Sequence, residues 1–135
     1  QIIMASMLER ETFADSEKPI VAGVLYKRIR EGWPLQVDAT LQYAKDSTKF
    51  KTVSTENKYW EPIYVTDKEI DSAFNTYKNL GLPPAPIANP GSTSIEAAMN
   101  PEESDYWYYI HDLDGKIHFG RTLEEHNSNI QKYLR

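Results

Sequence analysis

Tyr106-Trp107-Tyr108-Tyr109-Ile110-His111-Asp112-Leu113-Asp114-Gly115-Lys116-Ile117-His118-Phe119 is the stretch that decides the fold. Tyr106 to His111 is rich in aromatic residues and reads as a strand. Asp114-Gly115 supplies a turn, because glycine reaches the left-handed backbone that a tight hairpin needs. Lys116 to Phe119 then reads as the return strand. The hairpin falls late in the chain, and what precedes it carries mostly helical periods. No series of strand–helix–strand units accompanies it, which argues against a doubly wound parallel sheet. The expected class is α+β, several helices packed with a small antiparallel hairpin sheet in one domain over residues 1–135.

Working outward, Thr122-x-x-Glu125 follows the hairpin as a capping box that opens a last helix. Before the hairpin, Ser94 to Met99 predicts a short helix closed by Asn100-Pro101. Gly81 to Gly91 holds four prolines and predicts a stiff irregular loop. Thr66-x-x-Glu69 predicts another capping box, with a helix ending near Tyr77. Lys45 to Pro62 is polar and reads as a long surface loop with a strand near Lys51 to Val53. Leu35 to Ala44 alternates polar and apolar residues at first and then turns into a short helix. Ile20, Val21, Val24, Leu25 and Ile29 give one helix a buried stripe, with Asp15 or Ser16 as its cap and Pro19 in its first turn. Gly32 ends that helix and Pro34 bars a restart. Lys27, Arg28 and Arg30 read as its wet side. The first helix runs from about Ile2 to Phe13.

Composition narrows the function. A chain of 135 residues, 40% hydrophobic, can bury one core. A net charge of −5 does not suggest a nucleic-acid surface. Cysteine is absent, so thiolate chemistry and disulfides are excluded. Nine tyrosines and three tryptophans could stack on sugar rings in a cleft or simply fill the core. No stretch is apolar enough to span a bilayer. The chain opens on Gln1 without an initiator methionine and reads as an excised domain.

Candidate chemistry centres on Leu8-Glu9-Arg10-Glu11-Thr12. At 100° per residue, Ile3, Met4, Met7 and Leu8 share a face, and Glu11 continues it, while Glu9 points away. A carboxylate on a buried face is paired, hydrogen-bonded or protonated. Desolvation raises its pKa, as a general acid at neutral pH requires. The competing reading is a helix-end glutamate that swings into water or pairs with an arginine. Gln36, Asp38 and Thr40, if extended, present amide, carboxylate and hydroxyl on one face, suited to a sugar or merely to an edge strand. Asn75-Thr76-Tyr77 offers polar groups at a helix end, where asparagine is also an ordinary cap. His111, His118 and His126 lack metal-ligand spacing, although the first two could face each other across the hairpin. No Gly-rich phosphate loop and no nucleophile elbow are written here. No metal and no cofactor are expected.

Glu9-Arg10-Glu11-Thr12, Leu35-Gln36-x-Asp38-x-Thr40-x-x-Tyr43-Ala44, Asn75-Thr76-Tyr77, Gly81-Leu82-Pro83-Pro84-x-Pro86-Ile87-x-Asn89-Pro90-Gly91 and His126-Asn127 occur in that order. In this order they resemble the endolytic murein transglycosylase family, the YceG-like or MltG proteins, over almost the whole chain. The resemblance implies a catalytic domain without the family's N-terminal membrane helix and LysM-like subdomain. It implies cleavage of the β-1,4 bond between N-acetylmuramic acid and N-acetylglucosamine, leaving 1,6-anhydromuramoyl ends, with a role in glycan strand length or termination. It implies Glu11 as the acid and base, with Glu9 as rival, and Gln36, Asp38, Thr40, Asn75, Tyr77 and Asn89 as sugar-binding residues. Peptidoglycan glycan strands are the implied partner, joined in a full-length protein by cell-wall synthases (penicillin-binding proteins) at the extracytoplasmic face of a bacterial membrane. Ala39 and Ala85 stand where many relatives have proline and glycine. Two rivals accompany this reading: a two-carboxylate hydrolase using Glu11 and Asp38, and a non-catalytic glycan-binding domain.

Overall fold

A computed structural model describes residues 1–49 and 60–134, with only the backbone at 48 and 49. The expected strand near Lys51 to Val53 lies outside the described residues.

α1 spans Ile2–Glu11 and buries Met4, Ala5, Ser6, Met7 and Leu8. It stops because Thr12 turns extended while its Oγ1 and its N–H both donate to the Leu8 carbonyl, at 2.6 and 3.1 Å. Glu17 closes the link to the next helix, its Oε1 accepting the Phe13 and Ala14 N–H groups at 2.6 and 3.1 Å. α2 spans Lys18–Arg30 with proline in its first turn, and Val21, Ala22, Val24 and Leu25 face inward. Gly23 lets another part of the chain cross this helix: a Cβ there would lie 1.9 Å from the Glu102 carbonyl oxygen. The crossing is fixed by the Glu102 N–H donating to the Pro19 carbonyl at 2.9 Å.

α3 spans Asp38–Lys49, which corrects two expectations. Gln36, Asp38 and Thr40 do not form an extended row, and Lys45 to Lys49 are helical. The period of 3.6 wins over the short alternation, because Val37, Thr40, Leu41 and Ala44 make one buried face. Asp38 suits the first turn, where a carboxylate meets the positive end of the helix dipole.

The helix expected from Thr66 to Tyr77 is also absent. A 3₁₀ turn, Val65–Glu69, forms instead and is capped by Asp67, whose Oδ2 accepts the Tyr64 N–H at 2.8 Å and the Lys45 ammonium at 3.0 Å. It ends early because the buried Asn75 side chain takes the Lys68 and Ile70 carbonyls, at 3.0 and 2.8 Å. α4 spans Ser92–Met99 and packs on α1 and α2, with Tyr26 donating to the Ala98 carbonyl at 3.0 Å.

β1 (Tyr108–His111) and β2 (Ile117–Gly120) form the antiparallel hairpin, with Tyr109 opposite Phe119 and Ile110 opposite His118. Gly115 holds φ 84 in the turn. The register places His111 and His118 on opposite faces, which corrects the expectation that they could meet. His111 contacts Glu17 at 3.0 Å, whereas His118 contacts Asp112 at 2.9 Å and stacks on Tyr133. Tyr109, Ile117 and Phe119 pack on the helical core. The other face receives α5, Leu123–Leu134, which begins with Thr122 Oγ1 accepting the Glu125 N–H at 3.1 Å. The shared core holds Met4, Met7, Leu8, Val21, Leu25, Leu35 and Val37, all at 1% exposure or less. Each such side chain is worth about 2 kcal/mol in burial. The class is α+β.

Candidate active site around Glu11

Glu11 is the last residue of α1 and stands where α3 begins and β1 passes. The Tyr109 hydroxyl donates to its Oε1 at 3.0 Å, and the Ala39 N–H in the first turn of α3 donates to the same carboxylate. Asp38 lies alongside, exposed, and accepts the Tyr77 hydroxyl at 2.5 Å on Oδ1. Glu11 keeps some accessible surface. Its surroundings nevertheless withdraw water from it, and that burial raises its pKa from 4.5 to about 7. The negative charge of Asp38 adds to the rise, while Tyr109, the Ala39 N–H and the Arg28 charge oppose it. Burial also raises the pKa of both phenols, Tyr77 and Tyr109, so each remains a hydrogen-bond donor.

Arg28 is 6% exposed, which corrects its reading as part of a wet helix side. Its Nε and Nη2 donate to the Trp107 carbonyl at 3.0 and 2.6 Å, and its Nη1 donates to the Leu35 carbonyl at 2.8 Å. One side chain of α2 thus joins the segment leading to Tyr109 and the segment leading to Asp38. Neither Arg28 nor Tyr109 was singled out in the sequence as a site residue. Tyr109 does alternate with Tyr108 and Ile110 along β1, which assigns it to the core face and gives the available hint. Arg28 lies seven residues after Val21 and three after Leu25, which at 100° per residue puts it in the middle of the buried stripe and was a signal the sequence carried.

Glu9 points elsewhere. Its Oε1 accepts the Gly91 N–H at 2.7 Å and the Ser94 hydroxyl at 3.1 Å, at the start of α4. The Gly91 hydrogen bond leads the causes that lower its pKa and keep it ionised.

Of the other expected residues, Gln36 is exposed in a left-handed turn, φ 53, its N–H donating to the Thr76 carbonyl at 3.2 Å. Thr40 is fully buried, donating to the Val37 carbonyl at 2.6 Å and lying 2.9 Å from the Thr76 hydroxyl. Asn75 is fully buried as well, and its Oδ1 accepts the Tyr77 N–H at 2.9 Å. Asn89 is exposed in the proline loop. That loop is tied to α1 by Glu9 and by Ser6, whose Oγ accepts the Ile87 N–H at 3.1 Å. Asp38, Tyr77 and Glu11 therefore come together, Gln36 lies on the same turn, and Thr40 and Asn75 lie beneath. His126 stacks on Tyr108, its pKa lowered by burial and by the Arg28 charge. No cluster of three or more potential metal ligands occurs among the described residues.

A partly accessible carboxyl titrating near neutrality, beside a second carboxylate, can give and retake a proton. Residues 1–132 match the profile of the YceG-like family. The chain belongs to that family. Similar sequences include an endolytic murein transglycosylase of Bacillus subtilis (strain 168), 39% identical over 98% of this chain and 34% of the relative. An endolytic murein transglycosylase of Streptococcus pneumoniae (serotype 2, strain D39) is 30% identical over 98% of this chain and 23% of its own length. Among solved structures, a YceG-like protein from Listeria monocytogenes shares 40% identity and a TM-score of 0.78, over 93% of this chain and 38% of the other. This YceG-like chain thus spans about a third of the first relative and a quarter of the second.

Proposed function

We propose that this domain cleaves peptidoglycan glycan strands by lytic transfer at the bond between N-acetylmuramic acid and N-acetylglucosamine. The observation that carries this reading is the Glu11 carboxyl, near-neutral in pKa and partly accessible, with Asp38 beside it. Glu11 protonates the leaving O4 of N-acetylglucosamine as its bond to C1 of the muramoyl residue breaks. The muramoyl 6-hydroxyl then attacks C1, and the Glu11 carboxylate takes the hydroxyl proton. The acid is regenerated, a 1,6-anhydro ring closes, and no water is consumed. Asp38 keeps Glu11 protonated before the first step and faces the positive charge that develops at C1. Gln36, Tyr77 and Asn89 contact sugar, while Thr40 and Asn75 hold the turns that present them. The murein-cleaving names of the relatives support this substrate. The same reading places the domain at the extracytoplasmic face, in strand termination beside cell-wall synthases. No described helix is long and apolar enough to cross a membrane.

The test is mass spectrometry of peptidoglycan digested by the domain. Anhydro ends are expected from the wild type, and Glu11→Gln should cost at least about a hundredfold in rate. The exposed second carboxylate favours one other reading, hydrolysis with Asp38 as base. Lytic transfer expects Asp38→Asn to weaken turnover less than Glu11→Gln, with anhydro ends still the only product. Reducing ends from the wild type, together with equal damage from both substitutions, would establish the hydrolase instead.

A further inference from the structure

We infer that Tyr109 is a positioning residue that fixes which oxygen of Glu11 carries the transferable proton: Oε1 is held by the tyrosine, and Oε2 delivers to the substrate. The inference rests on Glu11 as the acid and deepens that reading. A phenol on the core face of a hairpin needs an acceptor for its hydrogen. Glu11 Oε1, at 3.0 Å, is the acceptor it has among the described residues. An oxygen already accepting a hydrogen bond is the poorer place for the proton of the neutral acid. The tyrosine thereby biases the proton of the neutral acid away from Oε1 and toward Oε2, and the proton returns to Oε2 when the carboxylate accepts one from the muramoyl hydroxyl.

Tyr109 is itself well anchored. The Trp107 carbonyl, two residues earlier, takes two hydrogen bonds from Arg28, and the Trp107 N–H donates to Gly120 at 3.0 Å. Gly120 in turn lies against α5, where a Cβ would stand 3.1 Å from the His126 nitrogen. These contacts set the register of the strand, so the phenol can hold the carboxyl at one angle. The charged and titratable groups around Glu11 are Asp38 on α3, Arg28 on α2, Tyr77 beside Asp38, and Tyr109 itself. Among the described residues, Tyr109 and the Ala39 N–H hold Glu11 by a hydrogen bond, and the Ala39 bond belongs to the backbone.

The test reads Glu11 directly. Carboxyl carbon NMR of the selectively labelled chain follows its titration, whether or not the domain turns over substrate. Tyr109→Phe removes a bond that favours the carboxylate, so the midpoint should rise. Replacing Tyr109 with 3-fluorotyrosine keeps the shape and makes a stronger donor, so the midpoint should fall. Opposite shifts from two near-isosteric side chains cannot come from loosened packing. In turnover, Tyr109→Phe should lower kcat about tenfold, leave KM within about twofold and move the alkaline limb upward. In a Glu11→Gln background it should have no further effect on rate. A midpoint unmoved by both replacements would overturn the inference and leave Glu11 as the acid untouched. An active Glu11→Gln enzyme would instead remove the reading beneath it.

Discussion

Raising the Glu11 pKa from 4.5 to about 7 means that the folded domain binds this proton more tightly than the unfolded chain does. The resulting stability is complete below about pH 4.5, declines as pH rises, and is gone above about pH 7. Near pH 8 the ionised carboxylate therefore costs the fold about 3 kcal/mol relative to the acid form. Glu11→Gln keeps the shape and cannot ionise. Urea denaturation should show the variant more stable than the wild type by up to about 3 kcal/mol at pH 8. At pH 4 the advantage should vanish or reverse. Equal stability differences at the two pH values would mean that Glu11 titrates as an ordinary carboxylate. The residue's inward direction was legible in the sequence, because Met4, Met7 and Leu8 set the phase of α1. Tyr109 was not, since it lies 98 residues away in the chain.

At the scale of elements, local signals described α1, α2 and the hairpin well. α1 and α2 each carry an apolar period, Gly32 and Pro34 follow the end of α2, and Asp114-Gly115 writes the hairpin turn. The cap expected at Asp15 or Ser16 is not used, since Glu17 stands at the N-cap of α2 without a side-chain cap bond. The Gln36 to Thr40 segment misled because five residues of alternation are too short to exclude a helix. The deciding apolar positions, Leu41 and Ala44, come later. The Thr66 capping box failed for a different reason. Asn75 captures the Lys68 and Ile70 carbonyls from farther along the chain, which no local pattern announces. Arg28 was read from its charged neighbours Lys27 and Arg30, although its helix phase points inward, and one nearby carbonyl, Leu35, and one distant carbonyl, Trp107, make a buried place for it. Gly23 belongs to the same class of long-range requirement. Gly23→Ala would set a methyl group 1.9 Å from the Glu102 carbonyl oxygen, so either α2 or the crossing segment must move. The expected cost is at least about 2 kcal/mol, seen as a lower urea midpoint with an unchanged m-value.

Across the whole molecule, the proline loop is a fixed wall. Ser6 and Glu9, both on α1, hold its backbone at Ile87 and Gly91. Limited proteolysis of the native domain should therefore spare the bonds between Leu82 and Gly91, and early cleavage there would show that the wall is loose. Glu9→Ala should make the loop cleavable, since it strips the acceptor from the Gly91 N–H and the Ser94 hydroxyl. Glu9 and Glu11, two residues apart, thereby serve opposite ends of the architecture: one is kept charged as a strut, the other is kept near neutral.

The Arg28 clamp has a consequence in time. Its two anchor points, Leu35 and Trp107, lie 7 and 79 residues along from it, and the hairpin that covers Glu11 is made from the last third of the chain. The Leu35 contact is local, whereas the Trp107 contact, like that of Tyr109 with Glu11, forms only after the cost of closing a long loop has been met. β1 brings Tyr109 onto Glu11, which stands at the end of the first helix of the chain. The surroundings of Glu11 are therefore complete only when an element from the last third of the chain has closed over the first helix.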